Sequence, residues 1–230
     1  MIIAGFQKST LLDYPGKVAC LIFTYGCNLR CEYCHNPELV IQKCLKKNIV
    51  SEETIFSFLK ERKGLLDAVV ITGGEPTIQS DLIPFIKKIK KLGYLVKLDT
   101  NGTNSKIVKK ILDLEIVDYW AMDVKYAQEV YKQNLLNAIP YSEIQKNIKL
   151  IKERAKDYEF RTTYVKGIHT LKSVEGIGKL IKGSKRYYIQ NFRPGKTINP
   201  QLNFSNSFTE KELEKIKKVM SKYVKKVEIR

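Results

Sequence analysis

The sequence predicts an α/β protein built as an open, partial (β/α)6 barrel of the TIM-like kind. Three observations carry this expectation. Short runs rich in Val, Ile and Tyr alternate with amphipathic stretches along the chain, as parallel strands joined by helical crossovers do. The unit repeats about six times with no stretch long enough to act as a linker, so residues 1–230 read as one domain. A closed eight-fold barrel typically takes about 250 residues, and six strand–helix pairs fall short of closure.

The predicted strands are 18–24, 68–72, 94–99, 117–124, 159–165 and 186–190, with a last one near 227–229. Several are apolar on both faces, as strands buried inside a parallel sheet are. Helix ends are recognisable between them. Ser51 precedes "EETIFSFLKERKG", which places a capping hydroxyl and acidic residues at the start and Gly64 beyond the end. A second helix begins at Leu82 and finishes at Gly93. Thr209 and Glu212 form a T-x-x-E capping box before the last helix.

Composition narrows the function classes. The opening "MIIAGFQKST" lacks a charged segment followed by a long apolar stretch, so no secretion signal is read there. No apolar run approaches the roughly 20 residues that cross a bilayer. A soluble, cytoplasmic protein with no membrane partner is expected. Five cysteines are too few, and odd in number, for a disulfide scaffold. Cys20, in "KVACLIF", reads as a core thiol, and Cys44, in "IQKCLKK", as a spectator. The net charge of +17 would suit nucleic acid, a membrane surface or an acidic protein. Most of it is Lys, repeated along amphipathic stretches such as "IPFIKKIKKLG", where it forms solvated helix faces. Nucleic acid is therefore not the expected partner. The Lys- and Ile-rich composition also fits a thermophilic source.

Chemistry gathers after the strands. "YGCNLRCEYCHN" follows the first predicted strand, "TGGEPT" the second and "DTNGT" the third, and the fourth runs into "MDVKY". In such folds the loops at the C-terminal ends of the strands build the site. Cys27, Cys31 and Cys34 place three thiols within eight residues. Thiolates suit zinc and iron–sulfur clusters. A 4Fe–4S cluster normally takes four cysteines, so three leave one iron open to a reacting ligand. The alternative is a structural zinc completed by Cys44 or His35. His35 adjoins Cys34, an awkward geometry for chelating the same ion, and no second CxxC pair exists.

CxxxCxxC with aromatic Tyr33 before the last Cys, followed by "GGEP" after the next strand, resembles the signature of the radical S-adenosylmethionine (SAM) superfamily. "YCHNPEL", "DTNG" and "MDVK" resemble its activating enzymes of glycyl radical enzymes, and "GFQKSTLLDYPGKVACLIFTYGCNLRCEYCHNPEL" most resembles activators of anaerobic ribonucleoside-triphosphate reductase. The resemblance spans essentially the whole chain and implies the radical SAM fold. It implies one 4Fe–4S cluster on Cys27, Cys31 and Cys34, with the fourth iron taking the amino nitrogen and carboxylate oxygen of SAM. It places the Gly73–Gly74–Glu75 turn at that amino group, where glycines allow close backbone approach. Tyr33 and His35 would flank the adenine. Asp99, Thr100, Asp123, Val124 and Lys125 would belong to the surroundings of the methionine carboxylate and ribose, with Arg161 also at the cofactor. A monovalent cation would sit at the acidic pair.

The implied activity is reductive cleavage of SAM to a 5′-deoxyadenosyl radical, which takes hydrogen from a glycine of a partner enzyme. The implied electron donor is a flavodoxin or ferredoxin. Related activators carry "DGPG" where Asp13-Tyr14-Pro15-Gly16 stands here, so the expected partner-facing loop, with Asp13, differs. Some carry a cofactor-contacting His where this chain reads Asn191-Phe192. No cysteine-rich insert follows Cys34, so auxiliary clusters are not expected. Two rival readings are a radical SAM enzyme acting on a small molecule or peptide and a zinc-containing nucleic-acid-binding module.

Overall fold

The computed structural model describes residues 1–40, 49–134 and 139–230. One sheet holds eight strands in chain order: β1 (Ile3–Thr10), β2 (Ala19–Thr24), β3 (Ala68–Gly73), β4 (Leu95–Thr100), β5 (Tyr119–Asp123), β6 (Tyr158–Tyr164), β7 (Arg186–Asn191) and β8 (Lys226–Ile229). β1 runs antiparallel to β2, and each later neighbouring pair is parallel. β1 and β8 are the two edges and do not pair, so the barrel is open.

The helices are α1 (Pro37–Val40), α2 (Glu52–Glu61), α3 (Leu82–Lys91), α4 (Ser105–Asp113), α5 (Gln128–Asn134), α6 (Tyr141–Arg154), α7 (Leu171–Leu180) and α8 (Glu210–Met220). They complete six crossovers between β2 and β8, matching the repeat read from the sequence. The caps also match. The Ser51 hydroxyl accepts from the Thr54 amide, and Thr209 and Glu212 make the reciprocal capping box. Gly64 and Gly93 follow their helices with positive φ.

β1 is an addition to the predicted set. Only its two ends, Ile3 and Thr10, are fully buried, and the middle is half-buried or exposed. Its residues therefore show no alternation to announce a strand. It forms because β2 would otherwise present an unpaired edge, and the Ile3 side of the chain is further tied to Val50 by a bridge.

Several of the parallel strands were expected to be apolar on both faces. β2 and β3 are, with buried apolar residues on each side, whereas β4 to β6 are apolar on the helix-facing side and carry charged residues on the other. Cys20, Ile22, Val69, Ile71, Val96, Leu98, Trp120, Met122, Phe160 and Ile189 alternate along the strands and join the helices in the main core. The concave face holds a small cluster of Tyr14, Ala19, Leu21, Ala68, Val70 and Tyr119. Beyond it that face turns charged, because Lys97 and Asp99 on β4, Asp123 on β5, and Glu159 and Arg161 on β6 share the parity of Val70 and Tyr119. Among the described residues, no helix is long and apolar enough to cross a membrane.

Candidate active site

A cleft of about 220 Å³ lies at the C-terminal ends of β2 to β6. Its walls include Cys27, Cys31, Tyr33, Cys34 and His35 from the loop after β2, and Gly73, Gly74 and Glu75 from the end of β3. Asp99, Thr100, Asp123, Lys125 and Arg161 come from the next three strands and complete it. The four motif-bearing loops, separate in sequence, thus share one cavity.

The cysteine loop is held in place by its neighbours rather than by regular structure of its own. The Leu29 amide donates to Cys27 Sγ at 3.4 Å. Asn28 and Asn101 exchange a side-chain hydrogen bond of 3.0 Å, and the Asn28 amide group also reaches Thr103 Oγ1 at 2.8 Å. On the far side, the segment after β7 braces the loop. His35 Nε2 donates to the Arg193 carbonyl at 2.7 Å, its ring stacks on Phe192, and the Asn199 backbone amide donates to the Glu32 carbonyl. Tyr33 is almost fully buried, edge-on to Tyr126 and His169.

Cys27, Cys31 and Cys34 form no disulfide. Burial pushes the Cys27 thiol up and that of Cys31 to about 11, with Lys125 acting against the shift. Protons must therefore leave when metal binds. Among the described residues, no three His, Cys, Asp or Glu side chains converge on a point fit for one metal ion. Three thiols lining one cleft are the donor set of a cluster in which each thiolate takes its own iron. Cys20 is fully buried on the helix-facing side of β2, its thiol pushed up to about 12. Cys44 lies outside the described residues.

Glu75 lines the cleft. It is 1% exposed, and both oxygens are already taken. Oε1 accepts from the Thr77 amide, Thr77 Oγ1 and Thr100 Oγ1, and Oε2 from the Asn101 amide at 2.6 Å. Glu75 thus ties the end of β3 to the loop after β4. Burial outweighs these bonds and pushes its carboxyl up. Gly73, at φ +105°, and Gly74 lie against the backbone of Thr24 and Gly26.

The charged wall is a chain of ion pairs. Lys97, 2% exposed, reaches Asp99 Oδ1 at 2.6 Å. Arg161 Nη2 reaches Asp99 Oδ2 at 2.9 Å, its Nε pairs with Asp123 Oδ1, and Lys125 Nζ meets Asp123 Oδ2 at 3.2 Å. Burial alone would raise both aspartates, but Arg161, with Lys97 on Asp99 and Lys125 on Asp123, holds both below the usual carboxylate range.

Depressed carboxyl values mean that this stabilisation is fully present above the ordinary pKa of 3.8 and is lost as pH falls through the folded values. Arg161→Met should therefore destabilise the protein by about 3–5 kcal/mol at pH 7. The loss should be smaller at pH 3, where the abandoned carboxylates can protonate. Urea unfolding at the two pH values checks this, and equal losses would mean that Arg161 does not hold the pair.

Val124 stands apart from the cleft, fully buried in the main core. Asp13, expected in a partner-facing loop, lies in the β1–β2 connection, where it accepts from Thr10 Oγ1, at the other end of β2 from Cys27. Asn101 and Thr163 line the cleft but were not singled out from the sequence. "TNG" reads as an ordinary turn, and Thr163 carries no motif.

The chain belongs to the radical SAM superfamily, whose family pattern matches residues 21–180. Members use a 4Fe–4S cluster and SAM, and the three cleft-lining thiols with the cationic side chains beside them fit both. The chain is 34% identical to a candidate glycyl-radical enzyme activating enzyme of Methanocaldococcus jannaschii, across 100% of this chain and 95% of that one. It is 32% identical to the pyruvate formate-lyase-activating enzyme of Clostridium pasteurianum, over 53% of each chain. SuiB of Streptococcus suis, solved with SAM bound, has the same fold, with a TM-score of 0.67 at 14% identity over 91% of this chain and 51% of that one.

Proposed function

We propose that this protein is a cytoplasmic activating enzyme that installs a glycyl radical on a partner enzyme of the anaerobic ribonucleotide reductase type. The observation that supports glycyl-radical activation is the end-to-end similarity to the Methanocaldococcus protein; the reductase-type partner rests on the resemblance of the N-terminal segment through "YCHNPEL". The match extends past the cysteine motif into the segments after β6, where enzymes of different substrate would be free to diverge.

Cys27, Cys31 and Cys34 would hold the cluster. The Gly73–Gly74 turn would face the amino end of SAM, and Lys125 with Arg161 would face its carboxylate. Tyr33 and His35 would flank the adenine, beside Phe192. Bound together, the cluster and SAM supply one-electron reductive cleavage to methionine and a 5′-deoxyadenosyl radical. The protein's part is to orient the reactants and exclude water. The open edge between β1 and β8 leaves the concave face accessible to a partner's glycine loop. The net charge of +17 would speed encounter with an acidic flavodoxin or ferredoxin as electron donor.

The reduced, cluster-loaded protein with SAM and its cognate anaerobic reductase should give an electron paramagnetic resonance doublet from the single α-hydrogen of a glycyl radical. Deuterium from α-deuterated glycine in the partner should appear in 5′-deoxyadenosine. SAM cleavage without doublet or label across the candidate partners would refute activation and favour a small-molecule or peptide substrate.

A further inference from the structure

The acidic pair at the cleft wall is not an open anionic site. Each of the four oxygens of Asp99 and Asp123 has a cationic partner from this chain. Three positive side chains, Lys97, Lys125 and Arg161, face the two carboxylates, while buried Glu159, 3.9 Å from Arg161 Nη1, is compensated by Arg230 at 3.2 Å. Glu75, the remaining acid of the cleft, has both oxygens occupied by Thr77, Thr100 and Asn101. A monovalent cation needs carboxylate oxygens with free lone pairs and an uncompensated negative field. Each oxygen keeps a second lone pair, but with three cations facing two carboxylates the wall has no uncompensated negative field.

Lys97 is the residue that changes the balance. It enters from within β4, where its strand partners are Val70 and Tyr119, and its stem is buried on the concave face. A lysine placed there cannot reach water, and its one ion-pair partner among the described residues is Asp99. Its ammonium thus sits on the Asp99 oxygen that faces away from Arg161. An alkali ion bridging the two aspartates would have to displace it.

We propose that Lys97, together with Arg161, takes the place of a monovalent cation at the Asp99–Asp123 pair, so that this protein binds the carboxylate end of SAM without an alkali-metal ion. The inference rests on the cofactor cleft proposed above. It assigns Lys97 as a positioning residue. The ammonium fixes Asp99, Asp99 fixes Arg161, and the excess positive charge is left for the ligand's carboxylate.

Equilibrium dialysis of SAM against the cluster-loaded protein tests this, with potassium, sodium or choline chloride at constant ionic strength. The wild-type dissociation constant should agree within about twofold in all three salts. Lys97→Met should bind about tenfold more weakly in choline and recover most of that loss in potassium or sodium, because the freed Asp99 oxygen then accepts an alkali ion. A wild-type protein that loses affinity in choline holds an ion after all and overturns the proposal. A Lys97→Met protein equally weak in every salt also overturns it. If Lys97→Met does not fold, the wild-type comparison still decides. Absence of SAM binding in any salt removes the cleft reading itself, an outcome distinct from salt-dependent binding.

Discussion

Replacing Cys27, Cys31 or Cys34 by Ala is expected to take the anaerobically reconstituted protein from about four iron atoms per chain to essentially none. Each thiol lines the same cleft, and no other His, Cys, Asp or Glu among the described residues forms a three-ligand group that could compensate. Cys20→Ala should keep the full iron content, since that thiol is buried among core residues of β2 and does not line the cleft. It should instead lower stability through the small cavity it leaves, by about 1 kcal/mol. Cys44→Ala is the discriminating variant. Retention of iron and of the brown absorbance supports a cluster with three protein ligands and one open iron. Loss of both would make Cys44 a fourth ligand and close the position that SAM needs. Iron analysis with visible spectroscopy reads all five variants.

The strands of the parallel sheet were legible because the helix side imposes apolar residues at every second position and, in β2 and β3, burial of the other face makes the run continuous. Helix ends were legible where the capping chemistry is local, as at Ser51 and Thr209. β1 was not, because pairing with β2 fixes it rather than any pattern of its own. The charged concave face shows the same limit. Lys97 and Asp99 sit inside an otherwise apolar run, "YLVKLDT", and sequence alone cannot say that Arg161, over 60 positions away, will neutralise the same carboxylate. Motif residues were legible as a set, whereas their individual partners were not. Glu75 illustrates this, since its neighbours in "GGEP" suggest a ligand contact, while its hydrogen bonds go to Thr77, Thr100 and Asn101. The brace behind the cysteine loop comes from the segment after β7, which has no periodicity to mark it.

Gly74→Ala is expected to damage the site by a route that the motif does not suggest. The sequence reading reserves the space at Gly74 for a ligand, but a Cβ built there would lie 1.9 Å from the Gly26 carbonyl oxygen and 2.7 Å from its carbon. Both are backbone atoms, so no side chain can swing aside. The same carbonyl accepts the Glu75 amide at 2.8 Å, and the Gly74 amide donates to the Thr24 carbonyl at 2.8 Å. A methyl group would therefore force the start of the cysteine loop away from the end of β3 and break that seam. Overpacking of this kind costs about 1–3 kcal/mol, and more where backbone must move. Gly26 directly precedes Cys27, so the displacement should also lower cluster occupancy along with SAM affinity. Gly195→Ala is the control, because nothing lies within 4 Å of its Cβ position. Urea unfolding of the apo proteins and iron content after reconstitution separate the outcomes. Lost stability with full iron and normal SAM affinity would make the seam purely structural. Unchanged stability and unchanged loading would mean that the two loops do not abut in solution, and the cleft assembled from them would have to be rebuilt.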